Sequence, residues 1–535
     1  MKKTFLLTPL LITAVVALTV YAAAQQQTQA GVRLIAGAAE ALGGRERILA
    51  VKTILLEGYG ETAYMNGGGN ISASPDAPQK WVRIPEYQKT VDLEHRRMRV
   101  RQRNHQNFVF ASAAGYLGAA NPNTVYLDGQ IAYNVGANGR AVRGTEAAAR
   151  ARRMDMLNNP VTIVRIALDP STKLSNVRTQ GNVQLVDVVT AWEDRLTLAI
   201  DVASRLPAWI SWMQRDENLG DVTLRTTYTG YLPVKGIRLP MGYNTTMDFR
   251  NVTANKIYVD KYAVDEPIDD LAAPADVRTA PAPAPAPPAP PVPQVTPVAK
   301  GVWLLHAAGG GGGANSILFE FADHLTMFEA PSSQAWAKAL MERARGTVPG
   351  KPLTEVIISH HHFDHTGGIR QAMAEGLTLI AHKGNEGLFR EIAARKGTIG
   401  PDAIGGNLKP LKFKAVDEQM VLKDSAMEVH VYHAVSQSHM AEGVFAYVPR
   451  DKLLVQGDFF DVGWEIYWWQ NTYLDNIRHW KLQVDTDVPV HGRVLPLTQV
   501  LQDIQRMTKA AQELCDRTKA VGVFTPGCPV KTPAP

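Results

Sequence analysis

The stretch Ser359-His360-His361-His362-Phe363-Asp364-His365-Thr366-Gly367-Gly368 places four candidate metal ligands, His360, His362, Asp364 and His365, within six residues. The apolar run Val356-Ile357-Ile358 before it reads as a buried strand, and Ile369-Arg370-Gln371-Ala372-Met373 after the glycine pair reads as a helix start. The ligand types therefore sit on a tight loop at a strand end, where several side chains can converge on one point. Neutral imidazole and carboxylate suit borderline-soft divalent ions such as zinc. Alternate residues of an extended segment point the same way, so His360 and His362 can share one ion. Asp364 and His365 project differently and can serve a second. The competing reading is a polar surface loop with a fortuitous histidine cluster. The order His-x-His-x-Asp-His between strand and helix argues against it.

Three partners lie downstream. His439 precedes the apolar run Val444-Phe445-Ala446-Tyr447-Val448, Asp458 follows Leu453-Leu454-Val455-Gln456-Gly457, and His491 follows Val488-Pro489-Val490. Each alone reads as a polar residue where a strand or turn ends. In this order they match a known set, and the segment from about Val298 to about Cys515 resembles the metallo-β-lactamase superfamily of hydrolases. The matching pieces are Gly313-Ala314-Asn315-Ser316 with the hairpin to Glu329, the His360–His365 motif, His439 with its strand, Gly457-Asp458 and His491-Gly492.

The resemblance implies an αββα sandwich with the ligands along one edge. It implies His360, His362 and His439 on one metal, Asp364, His365 and His491 on the other, and Asp458 bridging. It further implies two zinc ions, with iron or manganese as alternatives, and Asp364 as the catalytic residue that helps orient hydroxide. Water on zinc loses its proton near pH ~7 rather than ~15.7, so a metal-bridging hydroxide becomes available while one ion stabilises the oxyanion that forms. An aspartate at Asp458, where true β-lactamases commonly carry cysteine or serine, is similar to the thioesterase and lactonase branches. The expected function is an exported zinc-dependent hydrolase of an ester, thioester, lactone or related bond. The alternatives are a β-lactam hydrolase of the same superfamily and a non-catalytic periplasmic metal- or lipid-binding protein. The complete ligand set argues against the last.

With 535 residues the chain is too long for one ordinary domain. A formal net charge of +5 without a basic block gives no reason to expect nucleic acid as partner; a small-molecule substrate is expected instead. Residues 1–24 read as a secretory signal, with Lys2 and Lys3, an apolar run from Leu6 to Tyr21, and Ala22-Ala23-Ala24 for cleavage. An uncleaved anchor is the alternative, but the run is short for a span of about 20 residues. The expected location is periplasmic or secreted, with no stable membrane span after cleavage. Cys515 and Cys528 would pair in an oxidising compartment and staple the tail, two free thiols being the alternative.

The fold class expected is a two-domain α+β chain: an antiparallel β-rich domain over 32–271, a Pro/Ala-rich linker over 272–298, the metallo-β-lactamase-like domain over 299–515, and a loose tail over 516–535. Val32 to Ala50 reads as a helix broken at Gly43-Gly44. Runs such as Thr53-Ile54-Leu55-Leu56 and Leu198-Ala199-Ile200 read as strands, Asp128-Gly129 as a turn, and Glu146 to Ile166 as a helical insert. The stretch Tyr228 to Pro240 is similar to the meander of periplasmic lipoprotein-carrier-like domains. That similarity implies a curved half-barrel over an apolar groove holding an apolar ligand; a plain structural β-domain is the alternative. The tract Pro281 to Pro288 cannot form helix or sheet ladders and reads as a semi-stiff spacer. The run Gly309 to Gly313 lacks a following Gly-Lys-Ser/Thr, so it reads as a hairpin loop beside the cleft. His382, His430 and His433 read as structural, and His361 as outward-facing. Trp464, Tyr467, Trp468, Trp469 and Tyr473 read either as packing under a long loop or as a substrate-pocket wall. Leu497 to Leu514 reads as the closing helix.

Overall fold

The computed structural model describes residues 28–65, 71–77, 79–106, 123–136, 138–283, 290–308, 314–399, 408–436, 439–522 and 528. The secretory signal expected over 1–24, the glycine run, the end of the tail and part of the Pro-Ala tract lie outside these residues.

The N-terminal half builds one sheet of 13 strands, every neighbouring pair antiparallel. Two meanders make it, one from Thr53–Ala63 to Ala141–Arg143 and one from Lys173–Gln180 to Thr253–Val264. They join where the first strand pairs with the last, Ile54 opposite Val264. The insert between the meanders is two helices, Glu146–Leu157 and Pro160–Ala167. Thr145 and Asn159 start them, their side-chain oxygens accepting from the Ala148 amide and from the Val161 and Thr162 amides. Pro160 fits the first turn, where its missing N–H has no helical partner to lose. Met154, Leu157 and Val164 from this insert, with Ile35 and Leu42 from the helix over 28–42, bury one sheet face through Leu56, Ile210 and Leu239. A cavity of about 700 Å³ lies in this domain. Its lining combines Tyr87, Met154 and Trp212 with Glu146, Arg150, Asp155 and Arg215.

The C-terminal half has two sheets, seven-stranded from Gln294–Ala299 to Lys412–Val416 and six-stranded from Gln419–Lys423 to Leu495–Pro496. Ile317, Phe319, Ile357 and Ile380 of the first interlock with Val429, Val444, Val455 and Val488 of the second. The other face of the first sheet is covered by Gln334–Thr347, Ile369–Glu375 and Glu386–Ala394, through Leu340, Ile369 and Leu388. Val500, Ile504 and Met507 of Leu497–Ala520 cover the other face of the second, on Phe445, Tyr447 and Leu454. The layers thus run helix, sheet, sheet, helix. The closing helix continues to Ala520, past the expected Leu514, and Cys515 on it pairs with Cys528 with 5.6 Å between the Cα atoms.

The two halves touch directly. Arg395 donates to Asp248 at 2.8 Å and to the Leu219 carbonyl at 3.1 Å, Asp221 accepts from the Thr398 and Ile399 amides, and Arg250 grips Glu391 through two 2.7 Å bonds. Leu219, Val222, Met247 and Phe249 of the large sheet share one apolar cluster with Trp336, Leu388 and Ile392. Gly220 (φ 78°) comes so close that a Cβ there would lie 2.2 Å from the Lys396 carbonyl oxygen. Described residues of the span 272–298, read from the sequence as a spacer, include two regular elements. Ala275–Thr279 is a helix whose Val277 packs with Tyr133, and Gln294–Ala299 is already a strand of the seven-stranded sheet.

Candidate metal centre

Leu353–Ile357 is a central strand, parallel to Leu325–Phe328 on one side and Thr378–His382 on the other. Its last residues, Val356 and Ile357, and Ile358 after them are fully buried, as an interior strand covered on both faces requires. At its carboxyl end, where open α/β sheets place their ligands, the chain turns through the His loop into the single turn Phe363–Thr366. Two glycines let that turn lie flat. A Cβ at Gly367 would meet the Ser332 carbonyl at 2.4 Å, and one at Gly368 would meet Ala337 Cβ at 2.0 Å. The Ser332 amide donates to the Asp364 carbonyl at 2.7 Å, and the Gly368 amide to the Ala330 carbonyl at 2.8 Å.

Asp458 follows Leu453–Gln456, and His491 follows the parallel strand Thr486–Pro489. His439 precedes Val444–Val448, which runs antiparallel to Leu453–Gln456, so its start lies at the same edge. All seven expected side chains therefore meet. They form two groups, His360, His362, His439 and Asp458, and Asp364, His365, Asp458 and His491, with the ligand atoms of each group within 4.8 Å of one another. Asp458 belongs to both. Its Oδ2 lies 3.0 Å from His439 Nε2, and its Oδ1 lies 3.0 Å from His365 Nε2 and 3.4 Å from His491 Nε2.

The groups behind these ligands were only partly visible in the sequence. Glu329, fully buried, faces His365 Nδ1 at 3.2 Å and accepts from the Ser359 amide. The rule that flagged Asp458 would have found it, since it is the charged residue ending the apolar strand Leu325–Phe328. Ser359 Oγ lies 2.8 Å from His360 Nδ1. Asn315 donates to the Pro489 and Gly492 carbonyls on either side of His491. Trp469 stacks on His439 with centroids 4.4 Å apart and, with Tyr467, donates to the Asp458 carbonyl. Of the two readings of the aromatic cluster, Tyr467, Trp469 and Tyr473 follow the packing one. His361 is not outward-facing. It is 4% exposed, because the loop turns that side inward against Asn385. His382 and His433 stack on each other, and His430 contacts Glu428 and Tyr432.

The electrostatics divide the centre. Burial pushes the His360 and His362 imidazoles well below their ordinary range, and neighbouring imidazoles add to it. Burial opposes charge on His365 and His491 too, yet Asp458 and Asp364 outweigh it and hold both above the usual value. Asp458 is held well below the carboxylate range: burial opposes its charge, but His365 and His491 prevail. His360 and His362 thus present neutral imidazoles, and His360 Nε2 is buried with no hydrogen-bond partner, as the ligand of a cation would be. The donors fit divalent ions in both groups.

Residues 309–467 match the family model described as "Metallo-beta-lactamase superfamily". The domain they lie in is a metallo-β-lactamase superfamily domain, and its class is that of metal-dependent hydrolases. Among solved structures the chain is similar to the DIM-1 metallo-beta-lactamase (17% identity, 41% of this chain and 98% of that one, TM-score 0.33). It is similar also to TMB-1 (20%, 41% and 99%, TM-score 0.32) and to a metallo-beta-lactamase from Pontibacter korlensis (15%, 40% and 99%, TM-score 0.32). Comparison with curated proteins finds no match.

Proposed function

We propose that the chain is an exported hydrolase that holds two divalent ions, zinc on the chemistry of its donors, and cleaves an ester, thioester, lactone or related bond. The reading is carried by the two ligand groups that share Asp458. His360, His362 and His439 would hold one ion, Asp364, His365 and His491 the other, and Asp458 both. Such ions supply Lewis acidity and a water of lowered proton affinity at neutral pH.

The remaining work belongs to the side chains. Asp364 is the most open ligand, its side chain 40% exposed against 29% for His491 and 11% for Asp458. Its Oδ2 lies 3.3 Å from His491 Nε2. It is the group placed to take a proton from attacking water and to orient it towards the bond being cleaved. Asp458, closed off and pinned by Trp469 and Tyr467, sets the spacing of the two groups. Export rests on the composition of residues 1–24; no described helix is long and apolar enough to cross a membrane. The apolar ligand expected in the N-terminal domain draws little support from a cavity carrying Glu146, Arg150, Asp155 and Arg215.

The test is a substrate panel of thioesters, lactones, phosphoesters and β-lactams, run on purified chain with zinc and with chelator. Chelator-sensitive hydrolysis of a thioester or lactone supports the reading. Cleavage of β-lactams alone moves it to the neighbouring branch, and no turnover of any member with zinc bound refutes it.

A further inference from the structure

The loop carrying His439 is held from a side that no ligand accounts for. Asn385, fully buried, stands immediately before the helix Glu386–Ala394 and donates from Nδ2 to the Glu442 carbonyl at 2.8 Å. Its amide oxygen is left to face the ring of His361, which is buried beside it. Gly384 makes the approach feasible, since a Cβ there would lie 2.6 Å from Glu442 Cγ. A second tie starts nearby. His382 accepts from the Gly384 amide and stacks on His433, whose Nε2 lies 2.8 Å from the Ala441 carbonyl.

We propose that Asn385 is a positioning residue for the first ligand group, fixing the loop of His439 against the His361 side of the metal loop. The inference rests on the metal-dependent reading above. Within that group His360 and His362 are set by one strand end, but His439 arrives on a separate segment. Its distance from the other two is therefore set by whatever joins the segments. Val444 does so on one side, its amide bonding the Ser359 carbonyl at 2.7 Å. Asn385 does so on the other. The helix that follows it is backed in turn by the N-terminal domain, through Arg250 on Glu391 and Arg395 on Asp248. The large sheet thus buttresses the post that steadies His439, a structural role for a domain that, among the described residues, contributes no ligand to the centre.

Residues that orient a ligand typically change metal affinity 10- to 100-fold when removed. The experiment strips the full chain with chelator and titrates Zn2+ calorimetrically. It uses the native chain, Asn385→Ala, and both sequences in a His491→Ala background, where the second group is disabled. The expected result is two ions on the native chain. Asn385→Ala should weaken one of them by about 10- to 100-fold and weaken by a similar factor the single ion left in the His491→Ala background. Asn385→Asp, isosteric but unable to donate to Glu442, should behave as Asn385→Ala, which guards against a misfolded alanine variant. Native-like affinity in both Asn385 variants overturns the inference while leaving the metal centre standing. A native chain that takes up no zinc overturns the centre itself.

Discussion

Asp458→Asn removes the one anion common to both ligand groups while keeping the side chain's shape. In the native centre its oxygens lie 3.0 Å from His439 and 3.0 Å from His365, so each group loses a charged ligand at once. With free zinc at 100 times the dissociation constant, each filled site adds ~2.7 kcal/mol to stability, ~5.4 kcal/mol for two. At roughly 2–4 °C per kcal/mol for a domain of this size, the native chain should melt about 10–20 °C higher in zinc than in chelator. If losing the carboxylate weakens each site about 100-fold, the same zinc concentration leaves ~0.4 kcal/mol per site, and the shift shrinks to about 2–3 °C. Differential scanning fluorimetry of both chains, with zinc and with chelator, reads this directly. A variant that keeps the full zinc-induced shift would show that Asp458 is not shared between two ions.

Trp469→Phe keeps an aromatic ring on His439 but deletes the 2.8 Å bond to the Asp458 carbonyl; a loss of about 1 kcal/mol in denaturant unfolding is expected, and an unchanged midpoint would count against the supporting role. Gly368→Ala forces a Cβ to within 2.0 Å of Ala337 Cβ. It should cost about 1–3 kcal/mol and weaken zinc binding with it, so native affinity in calorimetry contradicts the close-approach argument. Asp487 is fully buried, and that burial raises its carboxyl well above the usual range. Above the unfolded value of about 3.9 and up to the raised folded value, the folded chain keeps a proton that the unfolded chain has released, so stability falls as pH climbs through that window. Asp487→Asn lacks this liability. It should melt higher than the native chain near pH ~8 and converge with it near pH ~4, and a gap that ignores pH refutes the assignment.

What the sequence displays and what it conceals divide along physical lines. His360, His362 and His365 were legible because a strand end fixes both their spacing and their direction. Asp458 and His491 were legible because each ends an apolar run. His361 was misjudged because the direction of a loop side chain depends on its neighbour in space, here Asn385 from a helix further along the chain. The docking of Asp221 and Arg395 was hidden for the same reason. Either residue reads as solvated charge until the other half of the molecule is placed beside it. The Pro-Ala tract reads as a spacer in composition, but the flanking Val277 and Val295 carry no mark of the surfaces they join. The sheet's strands were readable one by one, while its pairing of first strand with last was not, because local pattern says nothing about partners so distant.

That last pairing has a consequence for how the molecule is made. Ile54 meets Val264, so the middle of the large sheet has an empty lane until nearly the whole N-terminal half has been synthesised. Non-local strand pairing of this kind is slow, because the entropy of closing the long loop is lost before the contacts repay it. Until it closes, Thr53–Ala63 and Thr253–Val264 each offer a bare edge to any passing strand. Newly made chains are thus most open to misassociation during this interval, and a chaperone holding the unfinished sheet would find its natural handle there.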